Sequence, residues 1–309
     1  MTPIRIAVVG VGKIARDQHL PSIGANRDFE LVAAVSRNAS VDGVPNFPDI
    51  DSLLEGVRDL DAVALCVPPG PRHGMALRAL DHGMHVLLEK PPGATVSELD
   101  DLIEEAGSEK VTLYATWHSR HAAGVAGARE WLAARTIRSV RIDWKEDVRR
   151  WHPGQPWIWE PGGFGVFDPG INALSVLTEI LPMPVFLTSA RLVFPANRAQ
   201  PIAADLVFAD RAGGERVTAT FDWRQTGPQT WTIRLATDDG ELTLENGGAR
   251  LTIGGEQIVD AHDVEYAEIY RRFAALIRDG RSDVDLRPLR HVADAFMIGR
   301  HETTDPFED

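Results

Sequence analysis

In the run GGFGVFDPGIN, residues 162–172, Asp168 and Asn172 stand four positions apart. On a helix that spacing puts both side chains on one face. A carboxylate there can accept a proton from a substrate hydroxyl, and a carboxamide can orient a neighbouring one. Asp168 before Pro169 also has the composition of a helix N-terminus, so capping competes with chemistry as its role. A second candidate is Glu89-Lys90-Pro91. A lysine at a strand end can touch a cofactor ribose and a substrate oxygen together; a lysine beside a turn is otherwise an ordinary surface residue. Lys90 and Asp168 are therefore rival proton acceptors. The bond before Pro91 is a candidate for the cis form.

Gly10-Val11-Gly12-Lys13-Ile14-Ala15 fits G-x-G-x-x-A directly after an apolar run. Gly10 allows a tight turn, Gly12 lets backbone approach a pyrophosphate, and the helix that follows favours the anion with its N-terminus. At the end of the second apolar run an acid would hold the ribose 2′-hydroxyl of NAD. Ser36-Arg37 stands there instead, which suits a 2′-phosphate and points to NADP, with NAD tolerated. Cys66 lies inside VALCV and reads as a buried, inert thiol. Trp151, Trp157 and Trp159 fall in RRWHPGQPWIWEPGG, which has neither helical nor strand period and reads as a loop. Its indoles suit stacking on a flat apolar face or pinning of the loop itself.

These residues need a scaffold, and the first 120 residues supply a recognisable one. IRIAVVG, FELVAAVS, DAVALCVPP, HVLLEKPP and VTLYATWH are short buried strands alternating with helical patterns. Asp49 or Asp51 caps one helix, and Thr95 with Glu98 has capping-box spacing before another. Such βαβ alternation predicts a doubly wound parallel sheet of the Rossmann type. Beyond it lie a helix in GVAGAREWLAA, one at about 169–181, and longer β patterns joined by glycine-containing turns, the texture of an α+β domain with a mainly antiparallel sheet. YAEIYRRFAALIRDG and LRHVADAFMIGRH read as closing helices.

A formal net charge of −13 argues against nucleic acid as a partner. One cysteine permits no intrachain disulfide and suits a reducing compartment, and no stretch has the length of a membrane span. A cytoplasmic protein is expected, without a signal peptide. No Cys/His set has metal-ligand spacing.

Taken together, the glycine turn, Glu89-Lys90-Pro91 and GGFGVFDPGIN resemble the glucose–fructose oxidoreductase/inositol dehydrogenase (Gfo/Idh/MocA) family. The similarity covers essentially the whole chain. GKIARDQHLP, LEKPPGAT, ATWHSR, KEDVRRWHPGQ, WIWEPGG and FDPGINALS are most similar to its bacterial aldose 1-dehydrogenase branch, which acts on L-arabinose and D-galactose. The resemblance implies a Rossmann domain (1–120), a substrate and oligomerisation domain with an open-faced sheet (121–285), and a helix in 286–309 returning to the Rossmann domain. It implies NADP or NAD against Gly10, Gly12, Lys13, Ile14, Ser36, Arg37, Cys66, Pro68, Glu89 and Lys90. It implies an aldose, oxidised at its anomeric carbon, among Lys90, His118, Glu146, Trp151, His152, Asp168, Asn172 and Trp231, and a dimer or larger homo-oligomer built on exposed sheet faces. Other sugar or polyol oxidations within the family, and a non-catalytic NADP sensor, are the competing functions. The family pattern usually ends Asp-x-x-x-His; here Asn172 holds the histidine position and cannot be a base, which places the usual histidine mechanism out of reach.

Overall fold

The computed structural model describes residues 2–261 and 264–308. The chain forms two compact units, Met1–His118 with Tyr266–Leu286, and Ser119–Glu265 with Arg287–Asp309.

Among the described residues of the first unit six strands, β1 (Ile4–Val9), β2 (Phe29–Val35), β3 (Asn46–Phe47), β4 (Ala62–Leu65), β5 (His85–Leu88) and β6 (Leu113–Ala115), lie parallel in the order β3-β2-β1-β4-β5-β6. This is the doubly wound sheet expected, with β3 as an addition. The chain order reverses direction between β1 and β4, where such sheets open a ligand crevice at their carboxyl ends. A π-helical turn, Ala15–His19, leads into α1 (Leu20–Ala25); α2 (Ile50–Gly56), α3 (Pro69–Asp81) and α4 (Val96–Glu109) follow. Asp49 caps α2 by accepting the Ser52 N–H at 2.8 Å, and Thr95 and Glu98 form a complete capping box on α4.

A helix from far along the chain, Glu265–Asp279, completes this unit. It inserts Ile269, Tyr270, Phe273 and Leu276 into the core formed by Ile6, Val8, Ala64 and Leu87. Each buried side chain of this size is worth about 1.5–3 kcal/mol, so four of them anchor the helix firmly. The returning segment is thus 266–286, which corrects the expected 286–309 and also moves the first boundary to 118/119.

Among the described residues the second unit holds nine strands: β7 (Ile137–Lys145), β8 (Val185–Pro195), β9 (Ala203–Asp210), β10 (Glu215–Asp222), β11 (Thr230–Thr237), β12 (Gly240–Glu245), β13 (Arg250–Ile253), β14 (Glu256–Asp260) and β15 (Arg300–Thr304). Their order is β14-β13-β12-β11-β7-β10-β9-β8-β15, antiparallel except for β7 with β10 and β8 with β15. β15 corrects the reading of LRHVADAFMIGRH as helix throughout: the helix spans Arg287–Ile298, and the polar RHETT pairs as an edge strand on β8. α5 (Val125–Leu132), α7 (Phe167–Ile180) and the Arg287–Ile298 helix pack together on the sheet. α7 is buried nearly all round, which marks a core helix. Arg141, Thr218 and Arg234 are exposed in one cross-strand row of the sheet, the open face that was expected.

Candidate active site

In the first unit Gly10 has φ +95°, and a Cβ there would lie 2.8 Å from Val67 Cγ1 and 2.9 Å from Val67 N. Only glycine serves that turn. A Cβ on Gly12 would meet no atom within 4 Å. The turn therefore leaves open space beside its backbone at a helix start, the cradle a pyrophosphate needs. Ser36 and Arg37 follow β2; Ser36 is half-buried and Arg37 exposed. These residues fit a dinucleotide. Lys13 is engaged by Asp17 one turn along, and Ile14 is exposed beside it. Pro68 is exposed immediately before α3. Cys66 is half-buried, not buried as read from sequence, because β4 ends at Leu65 and leaves the thiol beyond it.

Glu89 and Lys90 lie just past β5, with the Lys90–Pro91 bond cis. Glu89 is 3% exposed, and its two oxygens are separately committed. Oε2 accepts the Lys90 backbone N–H at 2.7 Å; Oε1 accepts the Tyr266 hydroxyl at 2.6 Å and faces His19 Nε2 at 3.0 Å. His19 Nδ1 in turn lies 2.7 Å from the Tyr270 hydroxyl. Burial alone would raise the Glu89 carboxyl, but hydrogen bonding and charge from His19, the charge of His118 and the Tyr266 hydroxyl bring it to about 2. Burial works against charge on His19, yet Cys66, Tyr270 and Glu89 raise it well above its ordinary value. His19 and Glu89 thus face each other as a buried pair, each giving the other a partner inside the core. His118 stacks on Tyr266 with ring centroids 5.7 Å apart. Arg72, from α3, is 2% exposed and donates to the carbonyls of Glu89, Pro91 and Val67.

In the second unit α7 starts at Phe167 with Val166 as its N-cap and no side-chain cap. Asp168 is therefore not the cap of this helix. It sits in the first turn, 3% exposed, and the helix N-terminus favours its negative charge. His152 Nε2 lies 3.4 Å from Asp168 Oδ2. The imidazole comes from the end of α6 (Val148–Trp151), while the position that carries the histidine in the family pattern remains Asn172 on α7. The stretch read as a loop holds that short helix and a 3-10 turn at Pro156–Trp159. Asn172, one turn past Asp168, is half-buried, and its carboxamide pairs with no group among the described residues.

Glu146 is 5% exposed and accepts two indole N–H groups, Trp223 at 3.2 Å and Trp231 at 2.8 Å. Trp151 packs on Trp231 at 5.5 Å, and His152 on Trp223 at 5.2 Å. Trp159 packs on Trp223 from another side, also at 5.2 Å. Four of the expected substrate residues, Glu146, Trp151, His152 and Trp231, thus belong with Asp168 to one connected cluster. Aromatic faces, a carboxylate, an imidazole and a free carboxamide are the equipment for binding a polyhydroxylated ring and taking a proton from it.

A family model described as an oxidoreductase family with an NAD-binding Rossmann fold matches residues 4–116. A galactose 1-dehydrogenase of Pseudomonas fluorescens is 46% identical over 309 residues, 100% of either chain. The chain belongs to the Gfo/Idh/MocA oxidoreductase family. A crystal structure of a D-galactose-1-dehydrogenase protein from Rhizobium etli matches with a TM-score of 0.96 at 54% identity, covering 100% of this chain and 99% of that one. A 3-ketoreductase from Actinomadura kijaniata, solved with NADP and TDP-benzene, shares the fold at a TM-score of 0.84 and 21% identity, over 98% and 100% of the two chains.

Within this Gfo/Idh/MocA chain, each unit has its own group of residues. Lys90, Glu89 and His118 gather in the first unit, and Asp168, Asn172 and the Glu146 cluster in the second. Reading the residues alone missed Arg72, His19, Tyr266, Tyr270 and Trp223. Arg72 and the tyrosines sit in amphipathic helices, where nothing local separates a structural residue from one that organises a site. No helix among the described residues is long and apolar enough to cross a membrane, and no group of three or more His, Cys, Asp or Glu among them could hold a metal.

Proposed function

We propose that this oxidoreductase is an NAD(P)-dependent aldose 1-dehydrogenase that oxidises D-galactose, L-arabinose or both at C1 to the lactone. The observation that carries the proposal is Asp168: a buried carboxylate beside His152 and the indole cluster, in a chain 46% identical end to end to a galactose 1-dehydrogenase. The anomeric hydroxyl is that of a hemiacetal and gives up its proton more readily than an ordinary alcohol. A carboxylate is therefore a sufficient base. Asp168 takes the O1 proton, His152 steadies the carboxylate, and Asn172 orients a hydroxyl. Lys90 donates to the oxygen that gains charge. Bound nicotinamide would supply the acceptor for the hydride from C1, so the sugar loses that hydride, with its two electrons, and the O1 proton as the lactone carbonyl forms.

The Gly10–Ile14 turn would hold the pyrophosphate, and Ser36 with Arg37 a 2′-phosphate. Arg37→Ala should weaken NADP by about 1.5–3 kcal/mol, the worth of a hydrogen bond to a charged group, and leave NAD nearly unchanged. Titration of both cofactors checks this; equal losses would remove the 2′-phosphate role. The unpaired face of the nine-stranded sheet supports self-association into a dimer or larger oligomer, and the single thiol suits a cytoplasmic setting.

The function is tested by following reduced nicotinamide with a panel of aldoses, NADP and NAD in parallel. Turnover on galactose and arabinose with an aldonic acid as the final product, formed as the lactone hydrolyses and releasing a second proton per reduced nicotinamide, is the expected result. A ketone product with no aldonic acid, and one proton per reduced nicotinamide, would move the oxidation to another carbon.

A further inference from the structure

The Lys90 peptide is fixed from three directions. Its N–H is held by Glu89 Oε2 at 2.7 Å, and the carbonyls of Glu89 and Pro91, on either side of it, are both held by the Arg72 guanidinium. A backbone just past a strand end does not ordinarily need a buried carboxylate and a buried guanidinium. Burying either charge is costly unless it is paired and hydrogen-bonded. Glu89 could bind the Lys90 amide with one oxygen and still be left with an unpaired charge. The structure supplies the missing partners from two remote places. His19 comes from the π-helical turn after the glycine motif, and Tyr266 and Tyr270 come from the Glu265–Asp279 helix. Cys66 and His118 also act on the charges of this cluster, from the end of β4 and the end of the unit. All of these groups belong to the first unit.

We propose that Glu89 is a positioning residue for Lys90, and that the Glu265–Asp279 helix serves the reaction through the Tyr266 and Tyr270 hydroxyls, which with His19 fix the Glu89 carboxylate. The helix then does two separable jobs. Phe273, Ile269 and Leu276 stabilise the unit by burial. Tyr266 and Tyr270 set the direction in which Lys90 leaves the strand. A small rotation of the Lys90 peptide swings the end of a long side chain far, and displacement of a catalytic group by about 1 Å can cost about 10²-fold in rate. The proposal rests on Lys90 acting on the sugar, as argued above.

The test compares Tyr266→Phe, which deletes one hydroxyl, with Phe273→Leu, which weakens the same helix without touching the chain of hydrogen bonds. Lys90→Ala is assayed beside them. For each full-length protein, Tm, the NADP Kd, and kcat and KM for galactose are measured. Expected is a drop in kcat of about tenfold to 10²-fold for Tyr266→Phe, with NADP Kd near wild type, and a lower Tm but unchanged kcat for Phe273→Leu. Glu89→Gln should lose at least as much kcat as Tyr266→Phe, and Glu89→Asp should regain part of it if the protein remains folded. Wild-type kcat in Tyr266→Phe, or equal losses in Tyr266→Phe and Phe273→Leu, overturns the positioning role when Lys90→Ala is inactive. Full turnover by Lys90→Ala overturns the role of Lys90 itself.

Discussion

Asp168→Asn is expected to leave a folded protein that binds NADP normally and turns over galactose about 10²–10⁴-fold more slowly, the usual worth of a positioned general base. The substitution keeps the volume of a side chain that is 3% exposed, so no cavity opens. It removes a negative charge near the N-terminus of α7, which costs about 0.3–1 kcal/mol, and it weakens the attraction to His152 at 3.4 Å. Both changes are small against the stability of a whole domain. The carboxamide cannot accept a proton, so the chemical step carries the loss. Steady-state kinetics with thermal melts separates the outcomes. A large fall in kcat at nearly constant Tm is the expected result. Turnover close to wild type would pass the role of base to Lys90, and a fall in activity that merely follows the unfolded fraction would make Asp168 structural.

Gly10→Ala and Gly12→Ala should fail in different ways. At Gly10 the new Cβ falls 2.8–3.0 Å from Val67 and Cys66, two of the contacts being backbone atoms, on a residue whose φ is +95°. Backbone strain of this kind costs about 1–3 kcal/mol, and the end of β4 has to move as well. A lower Tm and lost cofactor binding are expected together. At Gly12 the new Cβ meets nothing within 4 Å, so Tm should stay at the wild-type value. The methyl group would instead occupy the approach to the backbone amides, and the NADP Kd should rise by about tenfold or more, equivalent to about 1.4 kcal/mol. A Gly12→Ala protein that binds NADP as well as wild type would show that the open space beside this turn is not the pyrophosphate cradle.

Much of the first unit was legible because its signals are local. The β1 turn, the Asp49 cap and the Thr95–Glu98 box each complete themselves within a few residues. β3 was not legible, since two residues, Asn46 and Phe47, carry no period. The Glu265–Asp279 helix was read as a helix, but its place in the fold depends on contacts made across the chain. Tyr270 meets His19 at a separation of 251 residues, and Tyr266 meets Glu89 at 177. No pattern within a helix records such a partner. β15 escaped notice because an edge strand can be polar throughout. In the candidate site, Asp168, Asn172 and Lys90 stood out as chemically capable residues in glycine- and proline-bounded stretches. The meeting of His152 with Asp168 did not, because it depends on how the intervening turns close.

The indoles around Glu146 have an optical consequence. Trp144 and Trp151 lie 6.4 and 5.5 Å from Trp231, and Trp159 lies 5.2 Å from Trp223, all at fixed tilts. Chromophores this close share their excited states, and a rigid, asymmetric arrangement of them generates near-ultraviolet circular dichroism that vanishes when side-chain packing loosens. His152 touches Trp223 while facing Asp168, so the ring that feels the carboxylate also feels the chromophores. The second unit is in this sense a built-in spectroscopic probe: a sugar settling against these rings would announce itself in the dichroism and emission of the protein, with no cofactor, label or turnover required.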